Sequence, residues 1–269
     1  MPLVTLPLVL AVVLLELAIG GAFVLWALDR TRQAPGGFLK LSAAVNAAAG
    51  LLAFLLVPSL PRARLAEDAA LKPGAIDSLA LAVPIVLVLL VAHLVTTFLP
   101  VRTLRAIVGA VTIVAGGLAL MAAAVARPSD APYDAFALLA LPLGALALGG
   151  TDAAMLLGHW YLVTPKLSPA PLQRAALIVV AAIALQTAVV AATVARGQLL
   201  GAVESSLVVA IAIRVGVGLF MTLGLVLAAW WTARMNTQSS TGLLYVGLGS
   251  ALAGEISARV LFFLTGAAV

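Results

Sequence analysis

Glu16, His93, Asp152, His159, Arg214, Glu255 and Arg259 each stand inside an otherwise apolar run. An ionised side chain at the centre of a bilayer costs about 2.5–3.5 kcal/mol on insertion scales, so each of the seven is a candidate for binding or proton transfer. Glu255 and Arg259 are four residues apart and share a face of the last run. An ion pair there offsets part of the desolvation of both groups. Two readings are open. The pair is structural, with Arg214 or Glu16 as an extra partner, or Glu255 is a proton-accepting carboxylate tuned by the arginine beside a quinone or an ion path.

The stretch GHWYLVTPKL, residues 158–167, places His159 beside Trp160 and Tyr161. Tryptophan and tyrosine favour the membrane–water boundary, so an interfacial belt accounts for both, with Pro165 ending the helix and Lys166 meeting the inner surface. His93 and His159 fall within about 5 Å of one depth at 1.5 Å per residue. They are candidate haem b ligands, or hydrogen-bond partners of a quinone carbonyl, or simple interfacial histidines. Asp152 lies two turns before His159 on one face, where the two residues suit proton delivery, and Gln186 is a candidate to join them. The bland alternative is that Thr151, Asp152 and Gln186 hydrogen-bond neighbouring helices. With Glu16 and Glu255 near mid-membrane and Arg214 and Arg259 in the outer third, the ionisable residues form a broken column across the membrane. No catalytic residue is assigned.

The elements that must position these residues are apolar runs. The chain of 269 residues is 64% hydrophobic and 9% charged, with a mean hydropathy of +1.22. Soluble domains carry about 25% charged residues, so lipid is the solvent here. Fifteen basic residues spread thinly through short loops make no nucleic-acid patch. Absence of cysteine excludes disulfides, thiol catalysis and Cys-ligated iron–sulfur clusters in this chain. The first run, about 25 residues, is longer than the roughly 7–15 of a signal-peptide core and reads as a retained transmembrane helix.

Eight runs approach the roughly 20 residues a spanning helix needs, at about 5–28, 39–58, 79–100, 104–126, 135–163, 172–196, 205–234 and 241–267. The expected fold is therefore all-α, an integral membrane bundle of eight transmembrane helices. The RLAEDAALK segment between the second and third runs is either a short interfacial helix or a solvated loop. LAIGG at 17–21 and LALGG at 146–150 suggest a parallel four-plus-four repeat, residues 1–130 and 131–269. Gly116–Gly117, Gly149–Gly150, Gly216 with Gly218, and Ser250, Gly254 and Ala258 supply small faces for helix packing.

GEISARVLFF, residues 254–263, resembles the last-helix motif of the dimethyl-sulfoxide-reductase anchor subunits and the related polysulfide-reductase membrane subunits. Gly254, Glu255, Arg259 and Phe262 or Phe263 take the motif's places, and Ala258 stands where that family has glycine. The eight-helix count and outward N-terminus also resemble that family. The resemblance implies a membrane subunit of a respiratory oxidoreductase that exchanges electrons with quinone and holds a soluble iron–sulfur protein at the membrane. The alternative is a small transporter or channel using the same polar residues as its path.

Lys and Arg bias orients the chain in the inner membrane. Arg30, Arg32, Lys40, Arg102, Arg105, Lys166, Arg174 and Arg234 lie on one side, against Arg62, Arg64, Lys72, Arg127 and Arg196 on the other. This puts both termini outside. Since the chain has no cysteine, single-cysteine variants report the topology directly. A thiol at Gln33 is expected to react only from inside and one at Ser129 only from outside; the reverse pattern inverts the topology.

Overall fold

The structure, a computed structural model, describes residues 2–164, 167–198 and 207–269. Pro165 and Lys166, which entered the helix-end and charge-bias readings, lie outside the described residues, as does the start of the seventh expected run. The described residues form helices α1 (Pro2–Arg30), α2 (Gly36–Leu56), α3 (Arg62–Ala69), α4 (Pro73–Thr96), α5 (Arg102–Val125), α6 (Ala135–Val163), α7 (Ala170–Ala195), α8 (Val208–Ala212), α9 (Thr222–Thr232) and α10 (Thr237–Thr265). A π-helical segment, Ile213–Met221, joins α8 to α9. Counting α8, the π segment and α9 as one, eight helices are long and apolar enough to cross a membrane. The chain is an all-α, multi-pass membrane bundle.

The RLAEDAALK segment forms the short helix α3. It is followed by Ala70 in the left-handed region at φ 51°. Asp134 caps α6 by accepting from the Ala137 N–H, and Asn236 caps α10 by accepting from Gln238 and Ser239. Both caps satisfy helix-end donors that have no intrahelical partner.

The burial pattern is that of a protein dissolved in lipid. Helices α1, α6 and α10 are the most enclosed. Leu81, Ile85 and Val88 on α4, and Ile107, Val114 and Leu118 on α5, face outward. Between helices, contact energy comes from close backbone approach, because apolar side chains gain little by leaving lipid. The α1–α6 seam is the clearest case. A side chain at Gly20 would run into the Ala145 carbonyl, and one at Gly149 would run into the Leu17 carbonyl and the Gly21 N–H. Gly116 makes room for Ile19 in the same way.

Packing partners correspond between the two sets of four spanning helices. In the first set α1 packs on α2 and α5, α2 on α4, and α4 on α5; in the second α6 packs on α7 and α10, α7 on α9, and α9 on α10. The cross-contacts match as well: α1 meets α10 as α6 meets α5, and α2 meets α6 as α7 meets α1. The α1–α6 seam is reciprocal, since Gly20 lies on Ala145 while Gly149 lies on Leu17.

Outside the spanning segments, Arg127 ties a loop to the C-terminal end by donating to the Gly266 and Ala131 carbonyls, both at 2.5 Å. Burial holds its guanidinium below the ordinary value, with nearby Asp134 opposing the shift.

Gly149→Val is expected to part α1 from α6 and lower the melting temperature in detergent. Gly117→Val, where an added Cβ meets no neighbouring helix within 4 Å among the described residues, is expected to leave it unchanged. Equal melting of the two variants would refute the seam.

Candidate functional site

Four of the seven intramembrane ionisable residues meet at one place inside the bundle. Glu16 comes from α1, Arg214 from the π segment, and Glu255 and Arg259 from α10. Their side chains are at most 2% exposed. Arg259 Nη2 donates to Glu255 Oε2 at 2.6 Å, and Arg259 Nε lies 2.9 Å from Glu16 Oε1. Arg214 Nη1 donates to Glu255 Oε1 at 2.9 Å. The order Glu16–Arg259–Glu255–Arg214 therefore alternates in sign and sums to zero when all four are ionised. Gln186 of α7 adds a neutral donor, Nε2 to Glu255 Oε1 at 2.8 Å.

Local backbone features make the meeting possible. Gly144 of α6 has no side chain where one would strike Arg259 Nη2, Glu255 Oε2 and Glu16 Oε1. Arg259 Nη2 also reaches the Ala140 carbonyl at 3.3 Å, so α6 forms the floor of the cluster. Gly218 and Gly254 lie backbone to backbone, which brings the π segment against α10 and Arg214 within reach of Glu255. The wider π turn is an insertion in an otherwise α-helical span, a form that recurs at functional sites. Thr222 fixes its end by donating to the Val217 carbonyl at 2.9 Å, with Ser250 Oγ also 2.9 Å away.

Glu255 is fully engaged: both its oxygens hold cationic donors and one also holds Gln186. Glu16 is not. Its contact to Arg259 is ionic without an aligned hydrogen bond, and its Oε2 has no donor among the described residues. Chemically, the cluster can hold charge in lipid at low cost and offers one carboxylate oxygen, Glu16 Oε2, free to accept a proton.

The other three ionisable residues do not join it: one cluster and three separate sites hold the seven. Gln186 reaches across to Glu255 of α10 rather than to Asp152. Asp152 is buried, and its Oδ2 has no partner among the described residues. His159 is exposed, with Nδ1 2.7 Å from the Tyr245 hydroxyl of α10, so it does not continue an inward Asp152–His159 file. His93 is buried on α4, against Gly109 of α5. Helices α4 and α6 share α2 and α5 as neighbours but do not form a packed pair. His93 lies against α5 and His159 against Tyr245 of α10, so the two rings look toward different helices, which gives the haem pairing no geometric support. The belt reading also fails at Tyr161, which is 0% exposed; its hydroxyl is satisfied internally by donating to the Ser168 carbonyl at 2.5 Å.

Sequence reasoning missed Gly144 and the Ala140 carbonyl, because an apolar Ala/Leu/Gly helix carries no mark of which glycine faces a charge. It also missed that Arg105, counted as a surface cation, makes a bidentate pair with Asp29 at 2.8 Å for both bonds. No family model, curated protein or solved structure matches the chain.

Glu255→Ala removes the carboxylate that both arginines share. The expected loss is about 3–5 kcal/mol, the cost of leaving a buried charge uncompensated, read as a lowered melting temperature in detergent. An unchanged melting temperature would mean that water already screens the arginines.

Proposed function

We propose that this protein is the membrane subunit of a respiratory oxidoreductase of the inner membrane, with both termini outside, and that its buried ion cluster carries protons next to a membrane quinone. The observation that supports this most is Glu16 Oε2, a buried carboxylate oxygen without a donor among the described residues, beside a charge-balanced array. A relay needs a group that takes and releases a proton beside compensating charge. Arg259 and Arg214 balance Glu16 and Glu255 while both are ionised; a proton on Glu16 raises the cluster to +1, which drives its onward release. An apolar crevice of about 130 Å³, lined by Ile19, Gly20, Phe23, Ile113, Leu120 and Leu146, opens one turn from Glu16 on α1. It would receive an apolar part of the quinone. In this reading a soluble iron–sulfur protein supplies or removes the electrons. The parallel repeat of residues 1–130 and 131–269 belongs to the same proposal, supported by the matching helix contacts of the two sets.

The π segment favours a second reading. π-helical turns within helices recur at functional sites, and Arg214 sits on such a segment. In that case the cluster would be part of an ion or substrate path.

Purification from the native membrane separates the two. The respiratory reading expects co-purification with an iron–sulfur protein and quinone-dependent turnover. Glu16→Gln should slow that turnover by about 10²-fold or more, as loss of a positioned proton acceptor does, while the assembly stays intact. A protein that purifies alone and moves ions down a gradient in liposomes would replace this reading with the transporter. Undiminished turnover in Glu16→Gln would leave the cluster a structural role.

A further inference from the structure

A second concentration of charge lies where α1 ends and α5 begins, away from the buried cluster. A cavity of about 340 Å³ there is lined by Asp29, Arg30, Arg32, Arg102, Thr103 and Ala106. Asp29 is already engaged by Arg105 through two hydrogen bonds of 2.8 Å. Among the described residues, Arg30, Arg32 and Arg102 have no carboxylate within ion-pair distance. The cavity is thus lined by three arginines without a carboxylate partner among the described residues.

Several features hold this lining in place. Arg30 lies 5.0 Å over the Trp26 ring, and Trp26 Nε1 donates to the Ala106 carbonyl at 2.9 Å, joining α1 to α5. Arg32 adopts φ 60°, a left-handed conformation uncommon outside glycine, in the turn that closes α1. The first turn of α5 has no side-chain cap, so its free N–H groups and the Thr103 hydroxyl add donors to the same cavity. Planar guanidinium forks and a helix N-terminus both match the oxygens of a phosphate.

We propose that this cavity binds a phosphate group, carried either by an anionic phospholipid headgroup or by a free phosphate. Its place at the level where spanning helices end suits a headgroup, as basic pockets between transmembrane helices do. Arg30, Arg32 and Arg102 would hold the phosphate oxygens, while Arg105 stays with Asp29 and keeps that carboxylate from repelling the anion.

The test uses the full chain in detergent, with phosphatidylglycerol, phosphatidylcholine or inorganic phosphate as probe. Arg30→Gln/Arg32→Gln/Arg102→Gln is compared with Arg62→Gln/Arg64→Gln, whose residues lie exposed on α3. The unaltered chain and the α3 variant are expected to bind phosphatidylglycerol over phosphatidylcholine. The triple variant should lose at least about tenfold in Kd, the scale of one charge-assisted hydrogen bond. Inorganic phosphate that displaces the lipid and raises the melting temperature alone would assign the site to a free phosphate; binding of lipid only would assign it to a headgroup. Should the triple variant fail to fold, Arg32→Gln and Arg102→Gln singly, both at exposed positions, must each weaken binding. Binding of neither probe, or equal binding by the variants, would overturn the proposal.

Discussion

Neutralisation of buried charge is the constraint on which the rest of this bundle depends. Each ion taken out of water costs several kcal/mol even after relaxation, and only close, well-placed partners offset it. The order Glu16–Arg259–Glu255–Arg214 answers that constraint by alternating sign across three separately supplied spans. The bare backbone at Gly144, the contact of Gly218 with Gly254 and the π turn before Thr222 all let long charged side chains meet without a gap. A bundle built only for close packing would have no use for the widened turn at Arg214.

Small residues serve a second purpose along the α1–α6 seam. Gly20 and Gly149 allow two backbones to touch, so the helix carrying Glu16 is fixed against the helix that floors the cluster. Precision at the ions therefore rests on glycines in the middle of long helices, where glycine by itself weakens the helix. Lipid leaves helices few other ways to hold a fixed register, and the backbone bonds within each helix are secure there because no water competes for them.

Much of the fold was legible in the sequence, since apolar runs of spanning length separated by turn residues have few alternatives in a membrane. The short helix Arg62–Ala69 was one of two open readings. At the site, the Glu255–Arg259 pair followed from helical spacing, and Glu16 and Arg214 were the acid and base available to extend it. The neighbours of Gln186, Asp152, His93 and His159 were not legible. The spans carrying them are apolar nearly all round, so periodicity does not reveal which face meets which helix. Depth can be counted along the chain; azimuth cannot. Nor does the sequence show what packs on a face at each depth, and Asp152 and His159, which share a face of α6, end in a buried site and at an exposed rim.

Whether the four ions act as one electrostatic unit is measured most directly by a double-mutant cycle on its two ends. Glu16 and Arg214 make no ion pair with each other, so coupling between them reports the shared field of the cluster rather than a direct contact. Glu16→Met and Arg214→Met should each destabilise the protein by leaving an unbalanced charge. The double variant restores neutrality and should lose less than the sum of the two by more than about 0.5 kcal/mol, the spread seen for independent sites. Losses that simply add would mean that the ions are stabilised pair by pair, and would contradict a single charge-balanced cluster.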